Sequence, residues 1–194
     1  MLASDDLVLR PDDARALAGV IGDEVDRLRA LISGVLDVER LRTRVLAPNT
    51  RPVKLCGIVA TALSSLQARA KSVVVSVGSS LPLIQADPCL LERVIANLVG
   101  NALAVSPPEK VVHVLASAED EHVRIAVVDH GPGIAIRDRE RIFRPFERAS
   151  PRCGGTGLGL AVVERFVDAM GGEISVADTT GGGATMFVAL PAAI

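Results

Sequence analysis

The sequence predicts an α+β fold: a two-layer α/β sandwich with a mixed sheet, preceded by one long helix. Three observations predict it. Runs with helical spacing alternate with runs of strand spacing, and some strand runs are separated only by a tight turn, so the sheet holds hairpins as well as crossovers. A single-faced helical pattern stands apart, ahead of a proline-bearing break. With 194 residues and 49% hydrophobic content, the chain suffices for one full core plus an appendage and is too apolar to be disordered.

The elements follow in order. Residues 1–10 read as loose, and Pro11-Asp-Asp13 as a helix start, with proline and acids in the first turn. Leu17, Ile21, Leu28, Leu31, Ile32, Val35 and Leu36 recur mostly at helical steps, giving one apolar face to about residue 44. Such a face packs against other helices or folds back on the domain. Ala47-Pro-Asn-Thr-Arg-Pro52 is the linker, which divides the chain into 1–46 and 47–194. Leu55 to about Ala70 reads as a helix, Ser72–Val77 as a strand, and Leu83–Ala86 as a short strand before Asp87-Pro88 starts a second helix. Val111–Ala118 and His122–Asp129 form a hairpin around Glu119-Asp-Glu121. Arg139–Phe146 is a short helix, and Gly157–Met170 a longer one that stops at Gly171-Gly172. Glu173–Asp178 and Thr185–Leu190 close the sheet as a hairpin around Gly181-Gly-Gly183.

Composition narrows the function. A net charge of −2 gives no reason to expect nucleic acid or an anionic membrane, and a chain without Trp or Tyr lacks base-stacking platforms. Three cysteines, Cys56, Cys89 and Cys153, lack paired metal spacing and read as reduced thiols of a cytoplasmic protein. No apolar stretch approaches about 18 residues without a charge, and no signal pattern opens the chain, so neither a bilayer span nor export is expected.

Chemistry concentrates in five segments. Asn97 and Asn101 stand four apart in the apolar helix around Leu90–Leu103, which puts both amides on one face. An amide carbonyl is an uncharged hard oxygen that can complete the shell of a Mg²⁺ held by nucleotide phosphates; a capped or buried polar pair explains the same spacing. The run Val123–Ile134 is a strand ending in Asp129 and turning at Gly131 and Gly133. Phe143 and Phe146 follow, then Gly155-Thr-Gly-Leu-Gly159 opening a helix, then Gly183-Ala-Thr185. Each segment alone is a weak signal, and the glycine-bearing ones read singly as a turn or a loop. Their order within one domain length is the informative part.

In that order they resemble the nucleotide-binding domain of sensor histidine kinases, the GHKL or Bergerat type of ATPase. Asn97 and Asn101 match the N box, Asp129 to Gly133 the G1 box, Phe143 and Phe146 the F box, and Gly155, Thr156, Gly157, Leu158 and Gly159 the G2 box. The resemblance covers about residues 52–192 and extends more weakly back to residue 12. Glu24-Val-Asp-Arg-Leu28, Leu36-Asp-Val-Glu-Arg-Leu41 and the Asp129 turn are similar to the potassium-responsive kinases of the KdpD type.

The resemblance implies ATP and Mg²⁺ as cofactors, with Asn101 as the metal ligand. Asp129 would accept the adenine amine and repel guanine, whose oxygen stands there. Gly131 and Gly133 would let the backbone pass the base, and Thr185 would support adenine or serve only as a strand threonine. Gly155 to Gly159 would point N–H groups at the polyphosphate, at a helix N-terminus. The segment from Glu147 to Gly154 would be a lid, where Arg148 or Arg152 reaches a phosphate or faces solvent.

Hydrolytic relatives carry a glutamate where Asn97 stands, and Glu92 lies five residues earlier, so transfer to a protein nucleophile is expected over hydrolysis. No catalytic residue is assigned. The family's phosphoacceptor motif is absent, and His113, His122 and His130 fall on strands or turns. The long helix matches the second helix of a dimerisation hairpin, which implies a chain beginning inside that hairpin and pairing as a homodimer. It further implies a phosphoacceptor helix elsewhere, a downstream response regulator and a membrane-anchored parent. Many sensor kinases have a basic residue and an aromatic where Ala104 and Val105 stand. A degenerate ATP-binding module, a hydrolytic motor and an anti-sigma type serine kinase are the alternatives.

Overall fold

The computed structural model describes residues 48–66, 72–78, 80–147 and 157–193, with five single positions between 10 and 22. Apart from those single positions, the expected long helix over 12–44, with its pairing role, lies outside the described residues. Arg51–Val53 (β1) pairs antiparallel with Ile84–Ala86 (β3). The expected linker over 47–52 therefore ends in a strand. Pro52 offers no N–H, which an edge position in a two-stranded ribbon tolerates.

Leu55–Ser65 (α1) buries Leu55, Val59 and Ala62, a four-then-three spacing that keeps one face inward. The helix expected to about Ala70 is described over Leu55–Ser65, with the Leu66 N–H turned back to Leu63 at 3.1 Å; residues 67–71 lie outside the described residues. Val73–Val77 (β2) lies parallel to Val112–Glu119 (β4), because β3 and Pro88–Val105 (α2) form the crossover between them. His122–Val128 (β5), Glu173–Asp178 (β6) and Ala184–Pro191 (β7) add antiparallel pairs, in the spatial order β2-β4-β5-β7-β6. One parallel and three antiparallel ladders make the mixed sheet.

Along β4, β5 and β7 every second residue turns toward the helices. Val112, Val114, Val123, Ile125, Val127, Met186, Val188 and Leu190 face the helices and join one core with Leu91, Ile95 and Leu98 of α2. Gly159–Ala169 (α3) adds Val162, Val163, Phe166 and Val167 to the same core. α1, α2 and α3 thus lie on one side of the sheet. By length and composition alone, with a mean hydropathy of 1.3, α2 is long and apolar enough to cross a membrane. Its seven buried residues and its packing between α1, α3 and the sheet account for that apolarity as core.

Two local differences have plain causes. The short helix expected over 139–146 is a pair of 3₁₀ turns, Ile136–Asp138 and Arg141–Phe143. Pro145 forces Arg144 to an extended ψ of 140°, so no helix continues through it. The last helix starts at Gly159 and not at Gly157, which takes φ +71°. Its stop is as expected: Gly171 at φ +73°, with Gly172 N–H on Val167 O at 3.0 Å and Gly171 N–H on Asp168 O at 2.9 Å, the 6→1 and 5→2 bonds of a glycine C-cap.

Candidate functional site

α2 carries the amide pair and is anchored firmly at its start. Asp87 caps it, accepting from Cys89 N at 2.9 Å and Leu90 N at 3.2 Å, and Pro88 fills the first helical position. With Leu98, Val99 and Ala102 turned to the core, Asn97 and Asn101 fall on the flank beside α3. Asn97 Nδ2 donates to Arg93 O at 2.9 Å, which orients its carbonyl oxygen. That oxygen and the Asn101 amide converge on the first residue of α3. A methyl group at Gly159 would sit 3.4 Å from Asn97 Oδ1, 3.6 Å from Asn101 Nδ2 and 3.8 Å from Asn101 Oδ1. Any longer side chain there would fill the space between the amides and the helix N-terminus.

Asp129 ends the next wall. The buried residues of β5 on its helix side are Val123, Ile125 and Val127, and Asp129 falls in the same phase two residues on, buried at 8% exposure. Oδ1 of Asp129 accepts from Gly131 N at 2.8 Å and Ala184 N at 3.0 Å, and its own N–H donates to Ala184 O at 2.9 Å. The other carboxylate oxygen accepts no hydrogen bond among the described residues. No buried side-chain polar atom there lacks a partner, so this oxygen opens onto accessible space.

The glycines around it are required by close approach. A Cβ at Gly131 would come within 2.8 Å of Val105 Cγ2 and 3.0 Å of Val105 O, at the end of α2. Gly133 has φ +74° and lies against Gly183 O. Gly183 has φ +112°, and a Cβ on it would overlap the Asp129 carbonyl. His130 N–H donates to Ser106 Oγ at 3.1 Å, tying the same turn to the residue that caps α2.

The expected site residues therefore divide. Asn97, Asn101 and Gly159 meet at one wall; Asp129, Gly131 and Gly133 form the other, joined to the first through Val105. Gly157 bridges to the aromatic pair, since its carbonyl accepts from Phe146 N at 2.9 Å, and Leu158 is buried in front of α3. Phe143 is buried, whereas the Phe146 ring is 70% exposed on a backbone of φ +66°. Thr185 stands apart. It pairs with Val128, so its side chain takes the sheet face opposite Asp129, and its hydroxyl lies 2.9 Å from that of Thr179. Gly155, Thr156, Arg148, Arg152 and Cys153 lie outside the described residues. Sequence reasoning does not single out Ala184, whose N–H holds Asp129; the three consecutive glycines before it are the available signal. On α3 the carboxyl of Glu164 is raised by burial, then by Asp168, with Arg165 opposing.

The family model for histidine kinase-, DNA gyrase B- and HSP90-like ATPases matches residues 86–194, more than half of the chain. The chain belongs to that family. This ATPase domain is 39% identical over 201 residues to the sensor protein KdpD of Mycobacterium tuberculosis, covering 98% of the chain and 23% of KdpD. It is 34% identical over 203 residues to the sensor-like histidine kinase SenX3 of the same organism, covering 100% of the chain and 50% of SenX3. The crystal structure of full-length ShkA in complex with AMPPNP superposes with a TM-score of 0.76 at 32% identity, over 95% of this chain and 40% of that one. The chain thus spans half or less of these relatives. The two-layer sandwich is that of the histidine kinase ATPase domains, and the readings as another class of ATPase are not favoured.

Proposed function

We propose that the chain binds Mg-ATP and presents its γ-phosphate to a histidine that lies outside its own three. The carrying observation is the half-used carboxylate of Asp129: one oxygen is held by two backbone N–H groups, and the other is open beside glycine backbone. An acceptor fixed in that way suits the exocyclic amine of adenine and rejects the oxygen of guanine. Gly131 and Gly133 admit the base. Gly155, Thr156, Gly157, Leu158 and Gly159 take the polyphosphate at the start of α3, whose dipole favours an anion. Thr185, on the opposite sheet face with its hydroxyl against Thr179, serves as a strand threonine.

The donor set suits a hard divalent ion. Asn101, with Asn97 beside it, offers neutral amide oxygen next to a helix N-terminus that Gly159 leaves open. Bound there, Mg²⁺ supplies charge neutralisation for the polyphosphate. Asn97 is committed to Arg93 O and, as an amide, takes no proton from water. That favours transfer to a protein nucleophile over hydrolysis. The acceptor histidine belongs to a hairpin helix, with residues 1–46 as its second helix and a route to homodimers, a response regulator downstream, and a cytoplasmic location under a membrane-anchored parent.

A second reading rests on Ala104 and Val105: Ala104 is exposed, and Val105 packs on Gly131 with no basic group to offer a phosphate. It is a binding module without turnover. Titration with ATP, with and without Mg²⁺, tests the proposal. Binding that tightens with Mg²⁺ supports it; no binding in either condition overturns it.

A further inference from the structure

Arg139 belongs to none of the boxes, yet its guanidinium ties the residue after one of them to the strand end that leads into another. Nε donates to Ile134 O at 3.4 Å, and Nη2 to Asp178 Oδ1 at 2.6 Å. Ile134 follows the Asp129–Gly133 turn, and Asp178 ends β6 where the turn to Gly183 begins. The Arg139 side chain is 24% exposed and that of Asp178 73%, so the pair is sheltered from one side only. Asp138 and Glu147, the other nearby acids, are engaged by Arg141 at 2.9 and 3.7 Å. Across the same boundary Gly133 meets Gly183 backbone to backbone, and Ala184 N–H grips Asp129. Two glycines supply no side-chain packing to hold that boundary shut; Arg139 does so from outside.

We infer that Arg139, through Asp178, is a positioning residue that sets the heading of the open Asp129 oxygen and so the preference for adenine. This rests on the reading of Asp129 as the group that meets the base. The pair holds the two loops in register, and loosening it lets the carboxylate swing without disturbing the polyphosphate end of the site.

The test uses the whole chain, with ATP and GTP affinities measured for Arg139→Met, Asp178→Asn and the exchanged pair Arg139→Asp with Asp178→Arg. ATP affinity should fall about fivefold in each single variant, the upper range for a partly exposed ion pair. GTP affinity, which Asp129 opposes, should hold or rise, and the exchanged pair should recover most of the ATP loss. Should Arg139→Met fail to fold, the exposed Asp178→Asn carries the comparison. Unchanged ATP affinity, an equal fall for both nucleotides, or no recovery in the exchanged pair overturns the clamp. Asp129→Asn is measured alongside: if it leaves ATP affinity unchanged, the base-reading role itself fails and takes the clamp with it, whereas a loss there with none in the Arg139 and Asp178 variants removes the clamp alone.

Discussion

Asp129 divides its work between two oxygens, one for the fold and one for a ligand. An asparagine in its place keeps an oxygen for Gly131 and Ala184 N–H, so the turn survives. It also turns an amide donor toward the adenine amine, which is itself a donor. Asp129→Asn should therefore weaken ATP binding by about 1.5–3 kcal/mol, roughly ten- to a hundredfold, with an unchanged thermal midpoint. Asn101→Ala separates metal from base. It should weaken Mg-dependent ATP binding about tenfold while ADP binding in chelator changes little, because a methyl group cannot ligate the ion. Equal losses in both conditions would mark a structural amide. Both residues are legible in the sequence because their neighbours are glycines or apolar helix positions, which leave a polar side chain conspicuous. Thr185 is less so: its motif position says nothing of which sheet face it takes, and the register with Val128 sets that.

At the scale of elements, periodicity exposes what buries a face and hides what does not. α2 and the four longer strands are legible from their apolar spacing, whereas β1 is masked by its proline and only its partner β3 makes it a strand. The 3₁₀ turns before Phe146 share the spacing of a helix start, and Pro145 alone decides that they stop. Within α3, Glu164 shows an element carrying a local cost. Burial raises its carboxyl above the ordinary value, and Asp168 one turn on adds to it. A raised acid favours the fold fully below its unfolded value, and that contribution is lost as pH rises through the folded value. Glu164→Gln should accordingly raise the melting temperature at neutral pH, with the gain shrinking below about pH 4, where the glutamate is protonated in both states. Thermal melts at the two pH values check this; an equal gain at both would assign the effect to packing.

For the whole molecule, the layering decides which groups can meet. Helices cover one sheet face, and the candidate site lies on that side, between α2, the Asp129 turn and the start of α3. His113 pairs with Val128 and so takes the opposite face, its ring 6.4 Å from that of His130. His122 starts β5, at the far end of the strand from Asp129, paired with Glu119 and Pro191. His130 is held in the turn by Ser106. In-line transfer needs the acceptor nitrogen close to and aligned with the γ-phosphate, and none of the three positions offers that. The chain should therefore bind Mg-ATP without labelling itself on histidine. Incubation with γ-labelled ATP should give no acid-labile, base-stable label on this chain alone. A separate protein carrying a hairpin helix with a histidine beside an acid should become labelled when added. Label mapped to His113, His122 or His130 would overturn the assignment of the acceptor to another segment. No label even with the added helix, alongside tight ATP binding, would favour the binding module and trace the loss to Ala104 and Val105, neither of which offers a cation to the phosphates.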